Sequence, residues 1–225
     1  AGSTIATYAS YLHRFYGYMT QVGAFDSNPM TIVVEQMDES IDTDPARREL
    51  SVPEMRSFVA DVAHPLDKAV IVTLLKTGIR AGELCNLDVR DLHLPGGLDE
   101  DEPSVRPSVS GRPNSLYVSA EPRQGAKVNG ECRTESNKRK RDTVIPVDEE
   151  LSRVLTRWLA TRPDAVSEAE PLFVSTADEW GKRLTPDMAH HIVETHAREQ
   201  GWYRAGGGAE ENVTPHYFRH FFTTH

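Results

Sequence analysis

The sequence predicts a mainly α-helical fold with one small antiparallel β-sheet, an α+β class. Three observations predict it. Apolar residues recur at helical spacing in several segments, and predicted helices begin at Ser51 and at Thr214, each followed closely by proline. The stretch from Pro65 to Lys76 is strongly apolar, which predicts a central helix. Short apolar runs at Leu116–Val118 and Thr143–Val147 predict two strands.

The first predicted helix covers residues 4–19, where apolar residues have the 3-4-3-4 spacing of an amphipathic helix: Ile5, Tyr8, Leu12, Phe15 and Met19. Gly23 follows as its expected stop. Residues 26–50 are polar and interrupted by prolines, so they predict a linker. We expect residues 1–25 to be the last helix of a domain that begins earlier, and residues 51–225 to form the main domain.

The main domain opens with Ser51-Val52-Pro53-Glu54, a pattern that resembles a capping box and predicts a helix start. Gly78 ends the central helix, and helical character resumes from Ala81 to Leu87. Residues 95–114, which are rich in Pro, Gly and acids, predict a surface loop, and the basic stretch between the strands predicts an extended hairpin. The remaining helices are predicted at Glu149–Thr161, at Thr185–Gln200 and from Thr214 on.

The composition, with 38% hydrophobic residues, is that of a soluble globular protein. No apolar run approaches the roughly 18 residues that span a bilayer. Cys85 and Cys132 form no ligand-spaced pair, and a reducing cytoplasm is the expected location. The net charge of −9 argues against nucleic-acid binding. However, lysines are few, which predicts a salt-loving (halophilic) host, and the cluster Lys138-Arg139-Lys140-Arg141 can bind phosphates locally.

Two sequence segments contain candidate catalytic residues. His216 and Arg219 are three residues apart in the last predicted helix, on one face, with Thr214 as the expected N-cap. A proton-transfer group beside a guanidinium suits a site that acts on phosphate. Arg80 follows the Gly78 break on a tight turn, where Glu83 can hold it by a salt bridge. A purely structural Arg80–Glu83 pair is the alternative interpretation.

The histidines raise the question of a metal. His216 and His220 stand at i and i+4, a spacing that metal ligands also use, and His190, His191 and His196 share another predicted helix. No acidic ligand accompanies His216 and His220, so we predict no metal site and no cofactor. A metal-dependent hydrolase stays open as an alternative, and the pair His190-His191 is expected on a solvated helix face.

Together these strings resemble the tyrosine recombinases, the phage-integrase family. Thr77-Gly-Ile-Arg-Ala-Gly-Glu-Leu resembles the first arginine box, and His216-Tyr-Phe-Arg-His resembles the His-x-x-Arg box about 140 residues later. Lys138-Arg-Lys-Arg-Asp-Thr-Val-Ile-Pro resembles the hairpin that carries the catalytic lysine. Pro171-Leu-Phe-Val and Arg183-Leu-Thr-Pro resemble the segment before the second box. The resemblance covers roughly residues 51–225, and Thr4 to Pro29 is similar to the last helix of the family's DNA-embracing N-terminal domain.

The resemblance implies a tyrosine-recombinase-like catalytic domain that cuts and rejoins DNA at specific sites through a 3′-phosphotyrosyl link, without metal or ATP. Arg80 and Arg219 would clamp the scissile phosphate, and His216 would take part in proton transfer. Lys138, or Lys140 in its place, would protonate the leaving 5′ oxygen. Glu83 and His220 would support the site. The implied contacts to the DNA backbone are Arg123, Arg139, Lys140 and Arg141. The implied partners are double-stranded DNA and further protomers in a tetrameric synapse, with no membrane.

The sequence departs from the family pattern at its end. The third box and the nucleophilic tyrosine should follow His225, and none of the seven tyrosines matches the position of the nucleophile: Tyr8, Tyr11, Tyr16, Tyr18, Tyr117, Tyr203 and Tyr217. We therefore expect a fragment of a catalytic domain that is inactive by itself. A non-catalytic DNA-binding regulator on the same scaffold is the other interpretation.

Overall fold

The computed structural model describes residues 2–38, 48–95, 105–208 and 210–225. The chain forms two compact units, Ala1–Ala46 and Arg47–His225. In the first unit, helix α1 (Gly2–Gln21) packs on helix α2 (Met30–Gln36). Gly23 has φ +77° just after α1, as expected of a residue that ends a helix. The linker prediction is wrong for α2, and residues 39–47 of that range lie outside the described residues.

The apolar stripe that predicted α1 is largely exposed. Ile5, Tyr8 and Phe15 are each at least half exposed, whereas Ala6 and Ala9 are buried. The helix prediction is confirmed, but the face that it buries differs from the predicted one. The 3-4 spacing identifies an apolar stripe and carries no information on which side of the helix another element covers.

The second unit begins with three helices, α3 (Val52–Asp61), α4 (Pro65–Thr77) and α5 (Ala81–Cys85). The predicted capping box is confirmed: the Ser51 N–H donates to Glu54 Oε2 (2.7 Å), and the Glu54 N–H donates to Ser51 Oγ (3.4 Å). The Ser51 hydroxyl also donates to Glu54 Oε2 (2.6 Å), and this bond together with that from the Ser51 N–H lowers the pKa of Glu54. Helix α4 is the buried centre of the unit, and its main contacts with later helices are to those at Glu149–Thr161 and Pro215–Thr224. It ends at Gly78, which adopts φ +59°.

A 3₁₀ turn (Val89–Asp91) leads into strand β1 (Leu92–His93), followed by α6 (Pro107–Ser110) and β2 (Ser115–Val118). Strand β2 pairs antiparallel with β1 on one side and with β5 (Thr143–Pro146) on the other, with Leu116 opposite Ile145. Strands β3 (Lys127–Val128) and β4 (Glu131–Cys132) form a separate short hairpin.

Two loop predictions in this region need correction. The predicted surface loop 95–114 contains α6, whose Val109 is fully buried, and residues 96–104 lie outside the described part. The extended hairpin is confined to β3 and β4, and the basic run 138–141 lies in an irregular segment before β5. The turn of the short hairpin places Asn129 and Gly130 at positive φ, as tight hairpin turns require.

The last three helices agree with prediction: α7 (Glu149–Thr161), α8 (Pro186–Glu199) and α9 (Pro215–Thr224). Helix α4 packs against α7 and α9, and α5 packs against α8. Thr214 occupies the N-cap position of α9, but its side chain makes no capping hydrogen bond, contrary to expectation. The predicted fold class is confirmed. No helix in the described ranges has the length and apolar character needed to cross a membrane.

Candidate active site

Arg80 and Glu83 lie at the turn between α4 and α5. Arg80 is the N-cap residue of α5; its backbone N–H donates to Glu83 Oε2 (3.0 Å) and its Nη1 donates to Oε1 (3.2 Å). The Glu83 side chain is 1% exposed, and that of Arg80 is 43% exposed. The predicted pairing is therefore present. A buried carboxylate holds one side of a guanidinium that remains accessible to solvent.

Arg139 contacts the same carboxylate. Its Nη2 donates to Glu83 Oε2 (3.2 Å), and its Nε lies 3.2 Å from Oε1. Its Nη1 donates to Thr143 Oγ1 on β5 (2.9 Å). The sequence grouped this residue with its neighbours Lys140 and Arg141 as a surface contact. The structure separates it from them, because its guanidinium is turned inward.

Arg219 on α9 completes the cluster. Its Nη1 donates to the carbonyl oxygen of Gly78, on the turn before Arg80. Burial lowers the pKa of Arg219, and the nearby positive charges of Arg80 and Arg139 lower it as well, while Glu83 acts in the opposite direction. Three guanidiniums and one carboxylate thus give a local charge of +3 − 1 = +2. A phosphate group complements such a charge.

The two histidines of α9 flank Arg219. His216 is exposed and His220 is half-buried, one turn further along the helix. Among the described residues, no group of three or more His, Cys, Asp or Glu side chains is arranged to hold a metal ion. On α8, His190 and His191 are exposed as predicted, and His196 Nε2 lies 2.9 Å from Asp67 Oδ2 on α4. The roles assigned to His216 and His220 stay predictions.

The remaining predicted residues lie on the surface of the second unit: Arg123, Lys138, Lys140 and Arg141 are all exposed. The two lysine candidates stand on either side of the inward-facing Arg139. Both are free to reach a bound molecule, and both remain candidates for the acid.

Sequence reasoning missed a buried charge network next to the site. Asp88 is 1% exposed and accepts hydrogen bonds from Arg133 Nη2 (2.7 Å) and Arg183 Nη2 (2.6 Å). Arg183 Nε also donates to Glu131 Oε2 (2.8 Å). The network attaches the β3–β4 hairpin to the segment that follows α5. Arg133 and Arg183 stand 45 and 95 residues from Asp88 in sequence, so no local pattern announces these pairs.

The fold and site thus define a mainly helical domain with a cluster of arginines around one buried carboxylate, and known proteins share its sequence features. Residues 126–225 match the model of the Phage integrase family. Tyrosine recombinase XerC from Thermodesulfovibrio yellowstonii is 24% identical, over 99% of this chain and 62% of the relative. Tyrosine recombinase XerA from Pyrococcus horikoshii is 25% identical, over 79% of this chain and 47% of the relative. The chain thus spans less than two thirds of these relatives.

Solved structures share the fold. The Tn1549 transposon integrase, solved in complex with circular intermediate DNA, has a TM-score of 0.65 at 20% identity, covering 100% of this chain and 66% of the integrase chain. A lambda integrase dimer bound to a COC′ core site has a TM-score of 0.61 at 13% identity, covering 99% of this chain and 66% of the other. The resemblance read from the two boxes is confirmed. Residues 126–225 thus match the phage integrase family, the relatives are named tyrosine recombinases, and the fold is shared with solved integrases.

Proposed function

We propose that the chain is the catalytic part of a site-specific recombinase that breaks and rejoins DNA strands. The observation that carries the proposal is the gathering of Arg80, Arg139 and Arg219 around the buried Glu83. Guanidinium groups bind phosphate oxygens with charge-assisted hydrogen bonds and stabilise the charge that builds up during phosphoryl transfer. The relatives bear the name tyrosine recombinase, and two structural neighbours were solved with DNA.

In the proposed reaction, Arg80 and Arg219 hold the non-bridging oxygens of the scissile phosphate. A tyrosine oxygen forms a bond to phosphorus while the bond to the 5′ oxygen breaks, and Lys138 or Lys140 gives that oxygen its proton. His216 assists proton transfer or donates a hydrogen bond to the same phosphate. The product is a 3′-phosphotyrosyl ester and a free 5′ hydroxyl. Because the ester retains the bond energy, attack by a 5′ hydroxyl rejoins the strand.

We place the attacking tyrosine outside the seven in this chain. Tyr217 is buried and donates its hydroxyl to the Arg48 carbonyl oxygen (2.8 Å). Burial raises the pKa of Tyr117, and so does its neighbour Asp142. Arg198 lies over the ring of Tyr203, 5.1 Å from its centroid. The raised pKa of Tyr117 disfavours the phenolate form, which is the form that attacks phosphorus. The other four belong to α1: Tyr8, Tyr11, Tyr16 and Tyr18.

The proposed partners are double-stranded DNA and further protomers of the same recombinase, assembled as a tetrameric synapse in the cytoplasm. Support comes from the lambda integrase neighbour, which was solved as a dimer on DNA. The exposed side chains of Arg123, Lys140 and Arg141 are proposed to contact the DNA backbone. Such contacts fix the position of a protein on DNA and carry no sequence information.

The test is covalent capture. The natural polypeptide that contains these 225 residues is incubated with nicked genomic fragments and denatured in detergent, and DNA that remains bound to protein is sequenced. We expect a small set of sites with protein on the 3′ phosphate, loss of the adduct in Arg80→Ala and Arg219→Ala, and no adduct with residues 1–225 alone. DNA binding without any adduct would instead support the non-catalytic regulator. Adducts that persist in both arginine variants would contradict the assigned roles.

A further inference from the structure

We propose that Arg139 is a positioning residue for Arg80, which it orients through Glu83, and not a contact to the DNA backbone. The inference rests on the proposed function, since the orientation of Arg80 matters where Arg80 binds phosphate. Arg139 belongs to the basic run, yet its side chain is only 17% exposed. The other members of that run, Lys138, Lys140 and Arg141, are exposed and can meet a bound molecule.

The hydrogen-bond pattern couples the two arginines. Oε1 of Glu83 lies 3.2 Å from both Arg80 Nη1 and Arg139 Nε. Oε2 accepts from the Arg80 backbone N–H (3.0 Å) and from Arg139 Nη2 (3.2 Å). Each carboxylate oxygen therefore lies within ion-pair distance of both residues, and the hydrogen bond from Arg139 is the one that its Nη2 donates to Oε2. The carboxylate cannot rotate toward one guanidinium without losing contact with the other.

The far side of Arg139 is also anchored. Its Nη1 donates to Thr143 Oγ1, and the Thr143 hydroxyl in turn donates to the Arg141 carbonyl oxygen (3.4 Å). A continuous path thus runs from β5 through Arg139 and Glu83 to Arg80. The same side chain thus links the turn that carries Arg80 to the segment that carries Lys138, the proposed acid.

Charge gives Arg139 a second effect. Arg80 and Glu83 alone form a neutral pair, in which the carboxylate competes with any phosphate for the guanidinium. With Arg139, the group of three has a charge of +2 − 1 = +1, so the carboxylate is already neutralised from its other side. Such interactions are stronger where side chains are shielded from water. Arg80 therefore keeps positive potential on its exposed side.

The test follows the arginine side chains directly in the 225-residue chain. ¹⁵N-labelled protein is titrated with sodium sulfate, and the Nε–Hε signals of Arg80 and Arg219 report anion binding. We expect Arg139→Gln to weaken sulfate binding at Arg80 about tenfold, and Arg139→Lys, which keeps the charge and loses the fork, about threefold. Arg157→Gln removes an exposed guanidinium on α7 and should leave binding unchanged.

A double-mutant cycle separates action through Glu83 from direct anion contact. In a Glu83→Gln background, Arg139→Gln should weaken sulfate binding at most about twofold, because the carboxylate through which Arg139 acts has lost its charge. An equal loss in both backgrounds overturns the positioning role. If the Arg139→Gln variant unfolds, Arg139→Lys, which retains the positive charge, is compared in the same two backgrounds.

The two proposals fail in different ways. If Arg80 and Arg219 show no saturable shift with sulfate in the unsubstituted chain, the phosphate site of the proposed function is wrong, and the positioning role falls with it. If the unsubstituted chain binds sulfate and Arg139→Gln binds it equally well, the positioning role alone is wrong.

Discussion

Arg219 donates a hydrogen bond from Nη1 to the carbonyl oxygen of Gly78, 141 residues earlier in the chain. Gly78 ends α4 in the left-handed conformation, and Arg80 follows two residues later. The bond therefore joins the helix that carries the second arginine to the turn that carries the first. The spacing between the two guanidiniums depends on the backbone of one glycine.

Gly78→Ala should unfold more easily and bind anions more weakly. The left-handed conformation disfavours a side chain, and an added Cβ would collide with the ring of Phe222 on α9. We expect a loss of about 2–3 kcal/mol in the free energy of unfolding, measured in urea. Gly111→Ala is the matched control, since its Cβ meets no atom within 4 Å and its φ is −91°. Equal stability of the two variants would contradict the role given to Gly78.

Asp88→Ala should be strongly destabilising. It removes the carboxylate that pairs with Arg133 and Arg183 and leaves buried positive charge, which typically costs about 3–5 kcal/mol. Arg153→Gln, which breaks an exposed pair with Glu149 on α7, should cost less than about 0.5 kcal/mol. Urea unfolding measures both. A similar small effect for the two variants would show that the Asp88 network does not hold the β3–β4 hairpin.

The stability contributed by Asp148 should depend on pH. Burial opposes its ionisation, but the Leu151 N–H and the Lys76 ammonium outweigh burial and lower its pKa below 3.8. A carboxyl with a lowered pKa stabilises the fold above its unfolded pKa, and that contribution is lost as pH falls through the folded pKa. Asp148→Ala should therefore cost about 1 kcal/mol at neutral pH and progressively less below about pH 4.

Unfolding free energies of both proteins at about pH 7, 5 and 3 check this prediction. The exposed Asp178, substituted by Ala, is the control and should show little effect at any pH. A cost for Asp148→Ala that stays constant across the range would mean that capping by the ionised carboxylate is not its source.

A DNA substrate with a modified leaving group distinguishes Lys138 from Lys140 as the general acid. A 5′-bridging sulfur leaves as thiolate without a proton, so it rescues only the loss of the general acid. In the cleavage-competent polypeptide, Lys138→Ala should slow cleavage of ordinary DNA at least about 100-fold and leave cleavage of the sulfur-containing strand nearly unchanged. Rescue of Lys140→Ala instead would assign the acid to Lys140.

Local sequence patterns predicted most of the helices, because their signals lie within one element. Examples are the capping box at Ser51, the glycine stop at Gly78 and the helix Glu149–Thr161. Sequence missed what depends on distant partners. The spacing on α1 did not reveal that its large apolar residues stay exposed, and the polar composition of residues 26–50 hid α2.

In the site, too, local contacts were predictable from the sequence and contacts between distant residues were not. Arg80 and Glu83 are three residues apart in sequence, and their pairing was predictable. Arg139 lies in a run of four basic residues that reads as uniform surface charge, and only its partner Glu83, 56 residues earlier, turns it inward. The sequence signal that would have suggested more than one cationic partner is an acidic residue, Glu83, close to the glycine that breaks a helix.

The most direct test of the central claim is the salt dependence of duplex DNA binding by the 225-residue chain, measured by fluorescence anisotropy. If Arg80 and Arg219 bind DNA phosphate, each Ala variant should lose affinity at least about fivefold and lower the slope of log K against log salt by about one. Arg157→Ala, on the exposed side of α7, should match the unsubstituted chain. Unchanged affinity and slope in both Arg80→Ala and Arg219→Ala would contradict the assignment of this cluster as the DNA phosphate site.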